Sequence, residues 1–246
     1  MRSTRVPNPN PSRRPLAPAL VRRLFSLSGV FPLGAFLLLH LAVNARALRG
    51  EAAFDRAVGA IQGLPAVALL EWLLVLGPLL THASIGLWLV ATGQPLAERS
   101  AYPRPLRLGM RATGVAALAF LAMHLSELRF RATGARLGGD ELATVLTEDL
   151  SSLWHGVPWR GAAYLAGSAC VTFHLAAGLW AFGVTTRVGK SARARRWTGW
   201  AAAAFGAAIW VLLANVVVFR ATGASLFGGG RTEETEGSGA ACPVRE

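Results

Sequence analysis

Five stretches of this chain, roughly 24–45, 66–92, 108–128, 161–184 and 197–219, each run for about twenty residues or more with almost no charge. No other feature limits the fold so tightly. About 20 apolar residues in a helix, at about 1.5 Å each, cross the hydrocarbon core of a bilayer. There every backbone N–H and C=O must be paired within the protein, which leaves helices or a closed barrel. Barrel strands would be short and would alternate apolar with polar. These runs are long, rich in Leu and Ala, and apolar on all faces. The fold class is therefore an all-α membrane protein with five transmembrane helices in a bundle. A soluble chain of 246 residues would carry more than 15% charged residues beside 53% hydrophobic ones.

The net charge of +12 would suit a nucleic-acid binder, but the basic residues are dispersed between the apolar runs. Their distribution reads instead as orientation, because cytoplasmic loops collect Lys and Arg. Six arginines lie within 2–23, four within 99–111, and five basic residues within 187–196. The opposite connections hold ten, spread over longer segments, together with eleven of the thirteen acids. This places the N-terminus in the cytoplasm and the C-terminus outside, as an odd number of spans requires.

Residues 1–21 are rich in Pro and Arg and lack an apolar core, so they read as a disordered cytoplasmic arm. The five-span domain is expected over 22–222, its first span serving as an uncleaved signal anchor. A disordered extracytoplasmic tail is expected over 223–246. Cys170 and Cys242 form neither a disulfide framework nor a metal pattern.

The chemistry is carried by histidine. Of five, four fall one to a span: His40, His82, His124 and His174. The fifth, His155, stands beside Trp154 in a connection and reads as an interfacial residue. A lone histidine in a span is most often a packing residue, yet polar groups in the bilayer are costly and default to function. Four in four successive spans call for one explanation. Their surroundings sort them into pairs: "AFLLLHL" at His40 matches "AFLAMHL" at His124, and "THASIGLW" at His82 matches "FHLAAGLW" at His174. Depth sorts them the same way, since His40 and His124 lie toward the outer ends of their spans and His82 and His174 nearer the middle. The two levels are expected roughly 10–15 Å apart.

Two histidine pairs at two depths on facing helices are what two stacked b haems require, each iron taking two axial ligands from opposite sides of a flat macrocycle. Gly86 and Gly178, one turn beyond His82 and His174, leave room for a porphyrin, though close helix packing is the plain alternative. Four imidazoles on one zinc or copper would have to converge at one depth. A proton relay would bring more acids than Glu71 and Glu127 into the bundle.

The segments "RRLFSLSGVFPLGAFLLLHLAVN", "ALLEWLLVLGPLLTHASIG", "RATGVAALAFLAMHLSELR" and "YLAGSACVTFHLAAGLWAF" resemble the cytochrome b membrane anchor of succinate dehydrogenase and fumarate reductase, in its single-chain, five-helix, di-haem form that works with menaquinone. The resemblance covers about residues 20–220. It implies that His40 and His124 ligate an outer, lower-potential haem, and His82 and His174 an inner, higher-potential one. It implies a bacterial cytoplasmic membrane, and a flavoprotein subunit and an iron–sulfur subunit as partners on the cytoplasmic face. The chain itself has no glycine fingerprint for a dinucleotide and no cluster-binding cysteine set. Where family members often carry a histidine, this chain has Phe25. Ser26 beside it and Arg111 in "MRATG" could contact haem propionates, although an arginine at a span end is more often an orientation signal. Quinone reduction consumes protons, and Glu71 and Glu127 are the carboxyls placed to supply them. Glu71 is expected to be protonated or to line a wet cavity, while Glu127 has a simpler role available as a partner of Arg129 or Arg131. The rivals are the di-haem cytochrome b of a hydrogenase or formate dehydrogenase, and a haem-free transporter whose histidines bind protons or a metal.

Overall fold

A computed structural model describes residues 17–94, 103–130, 139–186 and 191–227. Five helices among them are long and apolar enough to cross a membrane: α1 (Ala19–Arg49), α3 (Val67–Thr92), α4 (Arg104–Leu128), α6 (Trp159–Thr185) and α7 (Ala192–Thr222). Each matches one apolar run; α1, α4 and α7 run several residues beyond theirs, through arginines and other polar residues, while α3 keeps to its run within one residue. Large apolar side chains such as Leu73, Leu80, Leu108 and Val115 stand exposed along the spans, a surface that lipid rather than water suits. The chain is thus an all-helical, multi-pass membrane protein.

The four histidine-bearing helices close a ring: α1 touches α3, α3 touches α4, α4 touches α6, and α6 returns to α1. The fifth span, α7, packs along α6 and against α1. Its approach to α6 is close because Gly206 has no side chain; a Cβ there would lie 2.7 Å from that of Ala176. Within α1 and α3 the helix widens for one turn, over Gly29–Leu33 and Trp72–Leu76. Pro32 lies in the first, removing a backbone donor. The second ends where Gly77 donates its N–H to the Trp72 carbonyl five residues back. The two wide turns face each other and border an apolar groove of about 610 Å³ lined by Leu27, Phe31, Trp72, Leu73 and Pro78.

Two shorter helices, α2 (Glu51–Gln62) and α5 (Gly139–Ser151), were not expected from the sequence. They pack on each other and cap the end of the bundle where α1 and α4 finish. Phe54 and Val58 of α2 meet Ala143 and Leu146 of α5 around Ala47 and Phe219. Their i, i+4 and i, i+3 spacing puts each apolar pair on one helix face. Arg220, 2% exposed, ties the cap to α7. It donates to both Glu51 oxygens at 2.8 and 2.9 Å, and its guanidinium lies 4.5 Å from the Phe54 ring centroid.

The first helix begins at Ala19, inside the segment read as an arm. Beyond α7, Gly223 turns the chain at φ +75°, and buried Asn215 accepts from the Leu226 N–H at 2.6 Å and the Ser225 hydroxyl at 3.1 Å. Residues 223–227 are therefore tied to the bundle. Residues 1–16 and 228–246 of the proposed arm and tail, Cys242 among them, lie outside the described residues. Cys170 is a half-buried free thiol in α6.

Candidate functional site

Inside the ring the histidines meet in twos. His40 of α1 faces His124 of α4 with ring centroids 5.8 Å apart and planes at 89°. His82 of α3 faces His174 of α6 at 6.1 Å and 82°. These are the pairs that the local repeats sorted. Among the described residues no three His, Cys, Asp or Glu side chains gather as a metal-binding group. The spacing fits two imidazoles sharing one metal: two bonds of about 2 Å, with each ring centre about 1.1 Å behind its nitrogen, put the centroids about 6 Å apart.

Ligation also requires a free ring nitrogen. The Nδ1 of His82 lies 3.0 Å from the Phe25 carbonyl oxygen, and that of His174 lies 3.1 Å from the Met110 carbonyl oxygen. A carbonyl can only accept, so in each neutral ring Nδ1 carries the proton and Nε2 keeps its lone pair. This is the arrangement that orients metal-binding histidines. Phe25 and Met110 lie in the first halves of α1 and α4, so this pair sits toward the end where those helices begin. His124 belongs to the other end, under the cap. Its Nδ1 is 3.3 Å from the Tyr164 hydroxyl, which in turn is 3.3 Å from Glu127 Oε2.

Glycines set the positions of His82 and His174. A Cβ on Gly29 would lie 2.5 Å from His82 Cε1, and one on Gly114 would lie 2.9 Å from His174 Cε1. The rings therefore press against bare backbone on α1 and α4. Of the glycines singled out from sequence, Gly178 looks onto open space within 4 Å, room a flat group can enter. A Cβ on Gly86 would meet the Phe25 ring at 3.4 Å. That ring stacks on His82, with centroids 4.2 Å apart and planes at 10°. Ser26 is half-buried next to Phe25, and Arg111 is exposed next to Met110.

The carboxyls differ from expectation. Glu71 is not an isolated acid: Arg129 grips it in a fork, Nε to Oε1 at 2.5 Å and Nη2 to Oε2 at 3.1 Å. The carboxylate holds the Arg129 guanidinium pKa above its ordinary value, first through the hydrogen bond. Arg129 is thereby committed to Glu71 rather than Glu127, and Arg131 lies outside the described residues. Glu127 faces Arg160 at 3.8 Å instead. Arg160 also pairs with Asp149 of α5. His155 is exposed in a tight turn, its φ of +50° followed by Gly156 at +78°, with its ring 4.8 Å from that of Trp154.

Sequence reasoning missed Tyr164, Gly29, Gly114 and the two carbonyl acceptors. The carbonyls carry no residue-type signal, and the glycines do not sit at helical spacing from the histidines they touch. Tyr164 alone left a trace, as one of only two tyrosines in the chain and the one within a span.

The chain is 35% identical over 177 residues to the succinate dehydrogenase cytochrome b558 subunit of Bacillus subtilis (strain 168), a match covering 71% of this chain and 83% of that protein. No protein-family profile matches it. No solved structure matches it either.

Proposed function

We infer the function from one premise: the chain belongs to the family of succinate dehydrogenase cytochrome b membrane subunits. We propose that it holds two b haems, one between His40 and His124 and one between His82 and His174. The observation that carries this is the pair of perpendicular imidazole couples, 5.8 and 6.1 Å apart, both members of one having Nδ1 against a carbonyl. When bound, the haems supply one-electron transfer between an iron–sulfur partner and menaquinone.

The chain's own residues do the rest. The histidines fix where each haem sits, Gly178 leaves space beside one of them, and Ser26 and Arg111 are placed for propionates. The basic connections orient the chain, so the His82 and His174 pair is the inner one and the capped His40 and His124 pair the outer one. A flavoprotein and an iron–sulfur subunit would dock on the cytoplasmic side, because this chain has neither a dinucleotide fingerprint nor cluster-binding cysteines. Glu71 and Glu127, both half-buried near the outer end, would hold protons for the quinone. In that role Glu71 exchanges its bond to Arg129 for one to the quinone oxygen or its water.

The test is a dithionite-reduced minus oxidised spectrum of the purified chain, with haem measured per polypeptide. Two b haems are expected. A well-folded preparation without haem, from haem-replete cells, would leave the histidines to a metal or proton site. Glu71→Gln should keep both haems and lose quinone turnover; full turnover would remove Glu71 from the reaction.

A further inference from the structure

We propose that Tyr164 positions His124 and, through Glu127, lowers the midpoint potential of the haem at the outer pair. The inference rests on the reading of His40 and His124 as haem ligands and adds a residue that neither the local repeats nor the kinship points to.

The geometry fixes a direction. Tyr164 is 8% exposed, clamped by Leu150 of the cap, Val217 of α7 and the Phe120 ring, whose centroid lies 5.3 Å away at 89°. Its hydroxyl has two partners at 3.3 Å, Glu127 Oε2 and His124 Nδ1. A carboxylate only accepts, so the hydroxyl donates to Glu127 and turns its lone pairs to the imidazole. His124 then donates from Nδ1 and leaves Nε2 bare toward His40. The hydroxyl moves no proton in this role; it sets tautomer and ring angle.

The same chain carries charge. Behind the hydroxyl stands the Glu127 carboxylate, anionic whenever it carries no proton for the quinone, 3.8 Å from Arg160, which Asp149 anchors from α5. Hydrogen bonds in series polarise one another, so the imidazole faces a stronger acceptor than an isolated phenol. A more strongly accepted Nδ1–H makes the ring a better electron donor to a metal. That stabilises the ferric over the ferrous state and lowers the potential. At the inner pair both acceptors are neutral backbone carbonyls. The bias thus falls on the outer haem, the end where electrons leave for the quinone.

The experiment is Tyr164→Phe in the full chain, within its membrane complex. Redox titration of the two haem bands would be combined with the low-spin ferric EPR signals, the outer haem being the one that His40→Ala removes. Expected are an upward shift of the outer midpoint and a moved outer EPR signal, with both inner values unchanged. Glu127→Gln keeps the hydroxyl but removes the charge, and should shift the outer midpoint upward by less. Loss of the outer haem alone from Tyr164→Phe would equally support the positioning role. Both haems present with nothing moved, or both shifted alike, would overturn it. An unaltered chain without haem overturns the pairing reading and this proposal with it, so the two failures are distinct.

Discussion

The two histidine pairs share a separation and a perpendicular geometry but are held by different materials. The inner pair is held by backbone: two carbonyls take the Nδ1 protons, and two glycines let the rings lie against the neighbouring helices. In the outer pair His124 is held by side chains: a tyrosine, two acids and an arginine reach it in series, beneath a cap of two amphipathic helices. Backbone anchors move only with their helices, so the inner site is tied to the bundle itself. Side-chain anchors can be changed one at a time without disturbing a span. The outer site, where quinone chemistry is proposed, is built from the adjustable kind.

The largest expected effect breaks the comparison at its root. His82→Ala or His174→Ala should remove one haem and leave the other, and His40→Ala or His124→Ala should remove the opposite one. Pyridine haemochrome quantification would give about half the haem in each case, with complementary reduced spectra. Loss of the same haem from His82→Ala and His124→Ala would refute the pairing.

Next in size is the contrast between glycines. Gly29→Ala puts a methyl 2.5 Å from His82 Cε1 and 2.8 Å from Nδ1, so the ring must swing from the Phe25 carbonyl or α1 must move away. Losing such an orienting partner costs roughly 10–100-fold in metal affinity. Inner-haem occupancy should fall while the outer haem stays. Gly114→Ala meets His174 at 2.9 and 3.2 Å and should act in the same direction, less strongly. Full loading of both haems in Gly29→Ala would show that the ring has room the packing does not suggest.

This contrast also marks what the sequence could convey. The spans and the pairing were legible because hydropathy and residue identity carry them: five apolar runs, and histidines in two repeated surrounds. The inner anchors were illegible because a carbonyl belongs to every residue and a glycine does not name the side chain it will touch. The attention to Gly86 and Gly178 came from helical spacing, which finds neighbours on one helix, whereas Gly29 and Gly114 serve histidines on another. The partner of Glu71 was illegible for a related reason. Arg129 lies 58 residues on, and one-dimensional proximity favoured pairing that arginine with Glu127. The cap helices were within reach, since Phe54 with Val58 and Ala143 with Leu146 keep helical spacing, but short amphipathic segments are faint beside five membrane spans.

The smallest effect should come from the cap, and it should fall on the outer pair alone. Arg220 is a cation at 2% exposure whose carboxylate partner, Glu51, is half-exposed. Glu51→Gln leaves the guanidinium its contacts with Phe54 and Thr147 but takes away the opposite charge. One weakened charge-assisted bond costs about 1–3 kcal/mol, and the exposure of Glu51 puts this case near the lower end. The loss is local, because Arg220 joins α7 to α2 and α5, and these cover Val43 and Leu128, one turn beyond His40 and His124. On heating, the outer haem should be released a few degrees earlier while the inner haem leaves at its former temperature. Both midpoint potentials should stay in place, because the Tyr164 hydroxyl and its carboxylate are untouched. Equal destabilisation of both haems would mean that the cap supports the whole bundle, and the division between a backbone-held and a side-chain-held site would then describe geometry without separate stability.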